Sequence, residues 1–336
     1  MISGEHFSFT ISELELLFRV QYSILEIENN TGQSSSRFRN LLRSKESTEL
    51  FEKQNFLLKK QWLDEWSSAT SKLLNIQLRD TDLHSDIQKC FSEWNDAKIT
   101  AFLVEAVTFT PYTAVGDKEK DKCFSDIKYS EEKLSLNFAK TLSISVEEVD
   151  KISNIYGKTI KAIYKATTTN HTLLILSAAA AVSLLMAPYL AAGIGGLMGL
   201  SGAAATSAGL AMLGGGSLAT AGFGMAGGYV ATMGGGMLLS YGANKATINK
   251  ELENINSNEL VISSSKLAAF LEHYKTMLKL SQRDELMLST CSSLRDLQSI
   301  FESDADKAFI SGDNKNGKII EEKVQKLAAF RRIIRS

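Results

Sequence analysis

Residues 172–200 read TLLILSAAAAVSLLMAPYLAAGIGGLMGL, and residues 213–228 read LGGGSLATAGFGMAGG. Both stretches belong to a run of 79 residues, 166–244, that contains no Asp, Glu, Lys or Arg. All 37 basic and 38 acidic residues of the 336-residue chain lie outside this run, which we call the uncharged segment. Because ionised side chains are costly inside a bilayer, such a segment predicts either membrane contact or burial in a protein core.

The composition of the uncharged segment favours helices with small-residue faces over buried strands. It holds 17 of the 23 glycines, and from 172 to 243 there are 17 alanines against four β-branched aliphatic residues. Two GxxxG pairs occur, Gly195 with Gly199 and Gly224 with Gly228. Each pair places two glycines on one helix face, where a second backbone can approach closely. We therefore predict a helical hairpin over 172–243, with Pro188 and the four glycines at its packing positions.

The predicted hairpin is only moderately apolar. Residues 172–200 contain eleven Leu, Ile or Val, which contribute roughly −3 to −7 kcal/mol to the free energy of membrane insertion. This stretch is also longer than the roughly 20 residues that a helix needs to span a bilayer. Residues 207–243 contain seven Leu, Val or Phe, worth roughly −2 to −4 kcal/mol. The second part would insert poorly alone, so we expect the two parts to enter a membrane together. The alternative is a glycine-laced hairpin buried inside a soluble helical protein.

Basic residues flank the uncharged segment. Ser145-Val-Glu-Glu148 is a capping-box pattern that predicts a helix start, followed by apolar residues at helical spacing and by Lys158, Lys161 and Lys165. Residues 145–171 are therefore interpreted as a basic amphipathic lead-in helix at a membrane surface, or else as an ordinary helix with a solvated lysine face. Lys245 and Lys250 follow the segment. Lysines on both sides favour an even number of crossings with both charged regions in the cytoplasm.

The remaining regions, 1–144 and 244–336, are predicted to be helical domains, so that the fold class is all-α. A helix is expected over 47–78, where Trp62 and Trp66 share one stripe that is either a core seam or an exposed aromatic platform. A helix is expected over 86–107, and Pro111 follows it in a segment that interrupts the helical pattern. Further helices are expected over 259–280, 283–301 and 319–335.

The sequence argues against an enzyme and against cofactor, metal or nucleic-acid binding. Residues 222–227 form a literal GxGxxG, but no acid follows at the spacing of about 20 residues that a dinucleotide site requires. The four histidines lie in separate segments, and the three cysteines lack metal-ligand spacing. His171 at the boundary of the uncharged segment is a candidate pH-sensitive residue or a plain boundary residue. No basic domain or nucleic-acid-binding module is present.

The strings 213–228 and 233–239 (MGGGMLL) resemble a glycine-rich hydrophobic module of helical bacterial proteins. The plan of amphipathic helices on both sides of a central uncharged hairpin is also similar to that of α-helical pore-forming proteins. This resemblance implies a membrane-entering hairpin, and it transfers no active-site residue.

Three hypotheses follow. The first is a non-enzymatic protein whose hairpin enters the cytoplasmic membrane, as a conditional membrane-perturbing effector, for example a pore-forming toxin in antiviral defence. The second is a constitutive membrane anchor for a helical domain that binds a partner protein. The third is a soluble protein with the hairpin buried. The expected partners are the lipid bilayer and a protein, or a second copy held through small-residue helix faces. Because no secretory signal opens the chain, we expect a cytoplasmic location before insertion.

Overall fold

A computed structural model describes residues 11–31, 45–74, 77–78, 82–112, 122–124, 126–167 and 257–335. These ranges are 87% helical and contain no strand, which confirms the predicted all-α fold class. The predicted hairpin over 172–243 lies outside the described residues. So do the individual residues assigned to it or to its flanks, namely Gly195, Gly199, Gly224, Gly228, Pro188, His171, Lys245 and Lys250.

The described helices follow one another along the chain as α1 (Ile11–Thr31), α2 (Lys45–Leu74), α3 (Leu83–Glu93), α4 (Asp96–Val107), α5 (Glu131–Leu142), α6 (Val146–Thr167), α7 (Ser257–Tyr274), α8 (Leu280–Ile310) and α9 (Asn314–Ile333). A short 3₁₀ turn, Lys275–Met277, separates α7 from α8. These bounds confirm most of the predicted helices to within a few residues, although α8 extends nine residues beyond its predicted end.

The prediction of one helix over 86–107 is wrong, because two helices occupy this range. Asn95 has extended backbone angles between them, and its side chain accepts a hydrogen bond from the Lys98 amide at 2.9 Å. This is the N-cap bond of a new helix, α4, which is therefore separate from α3. The break before Pro111 is confirmed, since α4 ends at Val107.

Helix α7 lies at the centre of the bundle. Every residue from Leu260 to Leu271 is buried, and α4, α6 and α9 all pack against this helix. The N-terminal helices form a second group around α1, which contacts α2, α3, α4 and α5. Contacts between α4 and α7 and between α5 and α6 join the two groups into one helical body.

Trp62 and Trp66 lie in the core of the N-terminal group. Their rings stack with centroids 5.8 Å apart, and both side chains are buried. Phe18 of α1 and Phe109 after α4 contact Trp66 from two other directions. The prediction of a core seam is confirmed, and the alternative of an exposed aromatic platform is wrong.

Helices α8 and α9 form a hairpin that depends on two glycines. Gly312 in the turn has a φ of 84°, in the left-handed region that favours glycine. Gly317 in α9 is buried, and a Cβ at this position would lie 2.7 Å from the Phe309 ring. Any larger residue at 317 would therefore require the Phe309 ring to move.

A buried polar network joins α1, α2 and the segment after α4. Lys59 Nζ donates to Glu28 Oε1 at 2.5 Å, and the Tyr112 hydroxyl donates to Glu28 Oε2 at 2.7 Å. Tyr112 holds a φ of 61°, which is rare for an aromatic residue, so the network and its packing against Trp62 must hold this strained backbone in place. Burial and the Glu28 carboxylate raise the pKa of Tyr112 well above its ordinary value.

The raised pKa of Tyr112 predicts a loss of stability in alkali. Above about pH 10 a tyrosine in the unfolded chain ionises while folded Tyr112 keeps its proton, so the free energy of unfolding should fall as the pH rises. Urea unfolding followed by circular dichroism between about pH 9 and pH 11 measures this fall. Tyr112→Phe should flatten the pH dependence. Parallel curves for the variant and the wild type would contradict the assignment.

Candidate functional site

Helices α6 and α7 form an antiparallel pair with a hydrogen bond near each end. At one end the Tyr164 hydroxyl donates to Asn258 Oδ1 at 2.8 Å. At the other end His273 Nε2 donates to Glu148 Oε1 at 2.7 Å. The bonds are 16 residues apart on α6 and 15 on α7, about 24 Å along each axis, so the two helices run side by side over most of their length.

This pairing brings together Thr167 and Ser257, the described residues on either side of 168–256, a range that includes most of the uncharged segment. Thr167 ends α6 three residues after Tyr164, and Ser257 starts α7 one residue before Asn258. Thr167 and Ser257 therefore lie at the same end of the α6–α7 pair. We call this end of the pair the junction, and take it as the candidate functional site.

His273 links three helices at the far end from the junction. Its Nε2 bonds Glu148 of α6, and its Nδ1 lies 3.3 Å from the Thr100 hydroxyl of α4. The predicted helix start at Ser145 is confirmed, since the Ser145 hydroxyl accepts from the Glu148 amide at 3.1 Å. The Glu148 carboxylate reaches His273 rather than completing the capping box. The Glu148 side chain therefore links α6 to α7, in addition to its place in the first turn of α6.

An ion pair lies in the middle of α7. Lys266 Nζ donates to Glu105 Oε2 of α4 at 2.6 Å, with the two side chains 0% and 1% exposed. Burial lowers the pKa of Lys266, and the Glu105 carboxylate opposes that shift. The same carboxylate adds to the effect of burial in raising the pKa of Tyr156 on α6. The pair thus places charge at the point where α4, α6 and α7 meet.

Helix α6 turns its apolar face into the protein and its lysines outward. Val149, Ile152, Thr159 and Ile163 are buried. The opposite face is exposed and carries Glu147, Asp150 and Lys151 in its first half and Lys158, Lys161 and Lys165 in its second half. Because the apolar face already contacts other helices, any membrane contact of α6 has to use the lysine face.

Sequence reasoning missed the side chains that build this site. Glu105 is the only charge among residues 99–107, and Lys266 is the only charge from 260 to 271. Two single charges of opposite sign in apolar stretches are a signal for a buried ion pair. No comparable signal marks Tyr164 or Asn258, because a polar pair on neighbouring helices depends on how those helices are aligned.

The described residues show neither a metal site nor a membrane-spanning helix. Within these ranges no group of three His, Cys, Asp or Glu side chains is arranged to hold a metal ion. Every helix described falls short of a membrane span in length, in apolarity or in both. His84 is exposed next to Gln88, while Cys90, Cys123 and Cys291 are free thiols. The junction is therefore the feature of the described chain with the clearest relation to the uncharged segment.

The first prediction for this site concerns the buried ion pair. Lys266→Met should lower the free energy of unfolding by about 3–5 kcal/mol, because it leaves the Glu105 carboxylate buried without its cation. The double variant Lys266→Met with Glu105→Leu should recover most of this loss. Urea unfolding measures all three proteins, with Lys307→Ala as a control that breaks an ion pair whose lysine is 72% exposed and should cost at most about 1 kcal/mol. A double variant as unstable as the single one would contradict the role of the pair.

The second prediction concerns the junction. Replacing residues 168–256 by a Gly/Ser linker of about eight residues, which reaches about 26 Å, should leave a folded helical body because Thr167 and Ser257 lie at the same end. The shorter loop should stabilise it by about 2 kcal/mol. Circular dichroism and urea unfolding check this, and Lys266→Met should destabilise the shortened chain as much as the full one. A shortened chain without cooperative unfolding would show that the body needs the removed residues.

Comparisons with known proteins do not extend this description. No protein-family model matches the chain, and no curated protein or solved structure matches it. The resemblance to glycine-rich and pore-forming helical proteins therefore stays a prediction, and function has to be argued from the residues of this chain.

Proposed function

We propose that this chain is a non-enzymatic helical protein whose uncharged segment enters a lipid bilayer, while the helical body stays on one side of the membrane. The junction is the observation that carries this proposal. The packing of α6 against α7, with the Tyr164–Asn258 hydrogen bond at its end, places Thr167 and Ser257 at one end of the pair. A segment with both ends on one side of a membrane crosses it an even number of times, as a hairpin does.

The packing of α7 supports the membrane over burial in the body as the destination of the segment. All positions of α7 from Leu260 to Leu271 are covered, and the described helices α4, α6 and α9 pack against it. The apolar face of α6 is buried as well. An apolar hairpin that took the place of α4, α6 or α9 against α7 would do so at the cost of their packing.

The moderate hydrophobicity of the segment favours conditional over permanent insertion. Its second part is worth only roughly −2 to −4 kcal/mol, so a modest change in the environment can decide whether it inserts. We therefore place a membrane-perturbing effector, of pore-forming or defence type at the cytoplasmic membrane, ahead of a constitutive anchor that binds a partner protein.

Membrane fractionation of the protein at its native level tests the proposal. Once insertion is triggered, for example by acidic pH or added lipid, we expect recovery in the membrane pellet, resistance to carbonate and release by detergent, because a segment that spans the bilayer is held by its apolar surface. Recovery in the cytosol under every condition tried, including acidic pH and added lipid, would overturn the proposal in favour of a buried hairpin.

Charge substitutions inside the predicted hairpin sharpen the test. An acidic side chain at a helix centre costs about 2.5–3.5 kcal/mol on the insertion scale, comparable to the whole gain of the second part. Gly224→Glu should therefore abolish carbonate resistance, and Gly199→Glu in the more apolar first part should reduce it less. Ser303→Glu adds the same charge at an exposed position of α8 and should have no effect. Equal carbonate resistance in all three variants would contradict insertion through 172–243.

Overexpression separates an effector from an anchor. An effector should arrest growth and depolarise the membrane, and Gly224→Glu should relieve both, because the effect requires insertion. An anchor should remain in the membrane fraction without changing the membrane potential. Depolarisation that persists unchanged in Gly224→Glu would exclude the hairpin as its cause.

A further inference from the structure

The exposed face of α6 carries three lysines that lead to the junction. Lys158, Lys161 and Lys165, which we call the lysine edge, are spaced by three and four residues and therefore share one side of the helix. All three are exposed, whereas Thr159 and Ile163 between them point into the body. The lysine edge is thus fixed outward by the packing of the opposite face.

The surroundings of the lysine edge leave its charge largely uncompensated. On α6 itself no acidic residue follows Asp150. On the neighbouring helix α9, Glu322 lies near Tyr164, but Lys326 Nζ already bonds Glu322 at 2.6 Å and stands 5.2 Å from the Tyr164 ring. None of the described residues forms an ion pair with a lysine of the edge. The second half of α6 therefore presents a positive field to solvent.

The position of the lysine edge relates this field to the uncharged segment. Lys165 follows Tyr164, the residue that ties α6 to Asn258 at the junction. From Lys165 back to Lys158 the edge runs about 10 Å along the helix axis. A membrane surface that meets the junction and runs parallel to α6 would contact all three ammonium groups. If α6 stood perpendicular to the membrane instead, only Lys165 would reach the lipid.

We propose that the lysine edge binds the phosphates of an anionic lipid bilayer, with α6 lying along the membrane surface. This inference rests on the proposed function, because it assumes that the predicted hairpin over 172–243 enters the same bilayer. A lysine near an anionic surface contributes about a fivefold gain in binding, so the three together contribute about a hundredfold gain at low salt. The apolar segment supplies depth of insertion, and the lysine edge supplies a preference for negatively charged lipids.

The test uses the full chain and two sets of vesicles, phosphatidylcholine alone and phosphatidylcholine mixed with phosphatidylglycerol. The triple variant Lys158→Gln, Lys161→Gln, Lys165→Gln should bind the mixed vesicles about a hundredfold more weakly than the wild type at low salt. The control triple variant Lys60→Gln, Lys89→Gln, Lys140→Gln removes the same charge from exposed positions of α2, α3 and α5, and should bind like the wild type. High salt should remove most of the difference, since it shortens the range of the interaction.

Three results with these variants would overturn the inference. Equal losses in both triple variants would mean that only net charge matters, and no loss in the edge variant would mean that these lysines do not face lipid. A Lys165→Gln variant that loses as much as the triple variant would show an upright helix and overturn the proposed orientation. Circular dichroism and urea unfolding confirm that each variant folds, as expected for substitutions at exposed positions.

The same vesicles distinguish this inference from the proposed function. Carbonate resistance of the bound protein reports on the uncharged segment, because it depends on apolar burial. Salt-sensitive preference for phosphatidylglycerol reports on the lysine edge. Carbonate resistance without that preference would overturn the inference and leave the proposed function intact. The preference without carbonate resistance would overturn the proposed function and restrict the lysine edge to peripheral binding.

Discussion

The buried ion pair between Lys266 and Glu105 constrains the arrangement of the whole helical body. A charged amine in a fully buried part of a helix is tolerable only where a carboxylate meets it. Helix α4 must therefore lie against α7 with Glu105 beside Lys266. A slip of one residue would rotate Lys266 by about 100° and separate the two charges. Apolar contacts alone would tolerate such slips better, and we therefore infer that the ion pair specifies the register of α4 and α7.

The position of α6 follows from that register. His273 of α7 bonds Glu148 of α6 and lies beside Thr100 of α4, so the same three helices are joined a second time away from the ion pair. With α6 held antiparallel to α7, Tyr164 and Asn258 meet at the opposite end. The junction thus lies at one end of the antiparallel pair that α6 and α7 form. It also explains how a long uncharged segment can be accommodated between two helices without separating them.

In the proposed function the body and the uncharged segment act on a membrane through different forces. Insertion depends on apolar burial, which salt hardly weakens, whereas the lysine edge acts through charge, which salt screens. Helix α6 connects the two, because its buried face belongs to the body and its exposed lysines lead to the junction. A segment of moderate hydrophobicity gains selectivity from this arrangement, since binding at the lysine edge raises its local concentration at anionic bilayers.

The sequence by itself determined the all-α class, most helix positions, the Trp62–Trp66 seam and the helix start at Ser145, because helical periodicity and capping are local properties of the chain. It also defined the uncharged segment and the spacing of the lysine edge. It did not predict the break at Asn95, where one side chain caps a new helix. Only the tertiary structure decided that Lys266 meets Glu105 and that Tyr164 meets Asn258. Such pairings join residues more than ninety positions apart, and they exist only once helix packing has brought distant faces together.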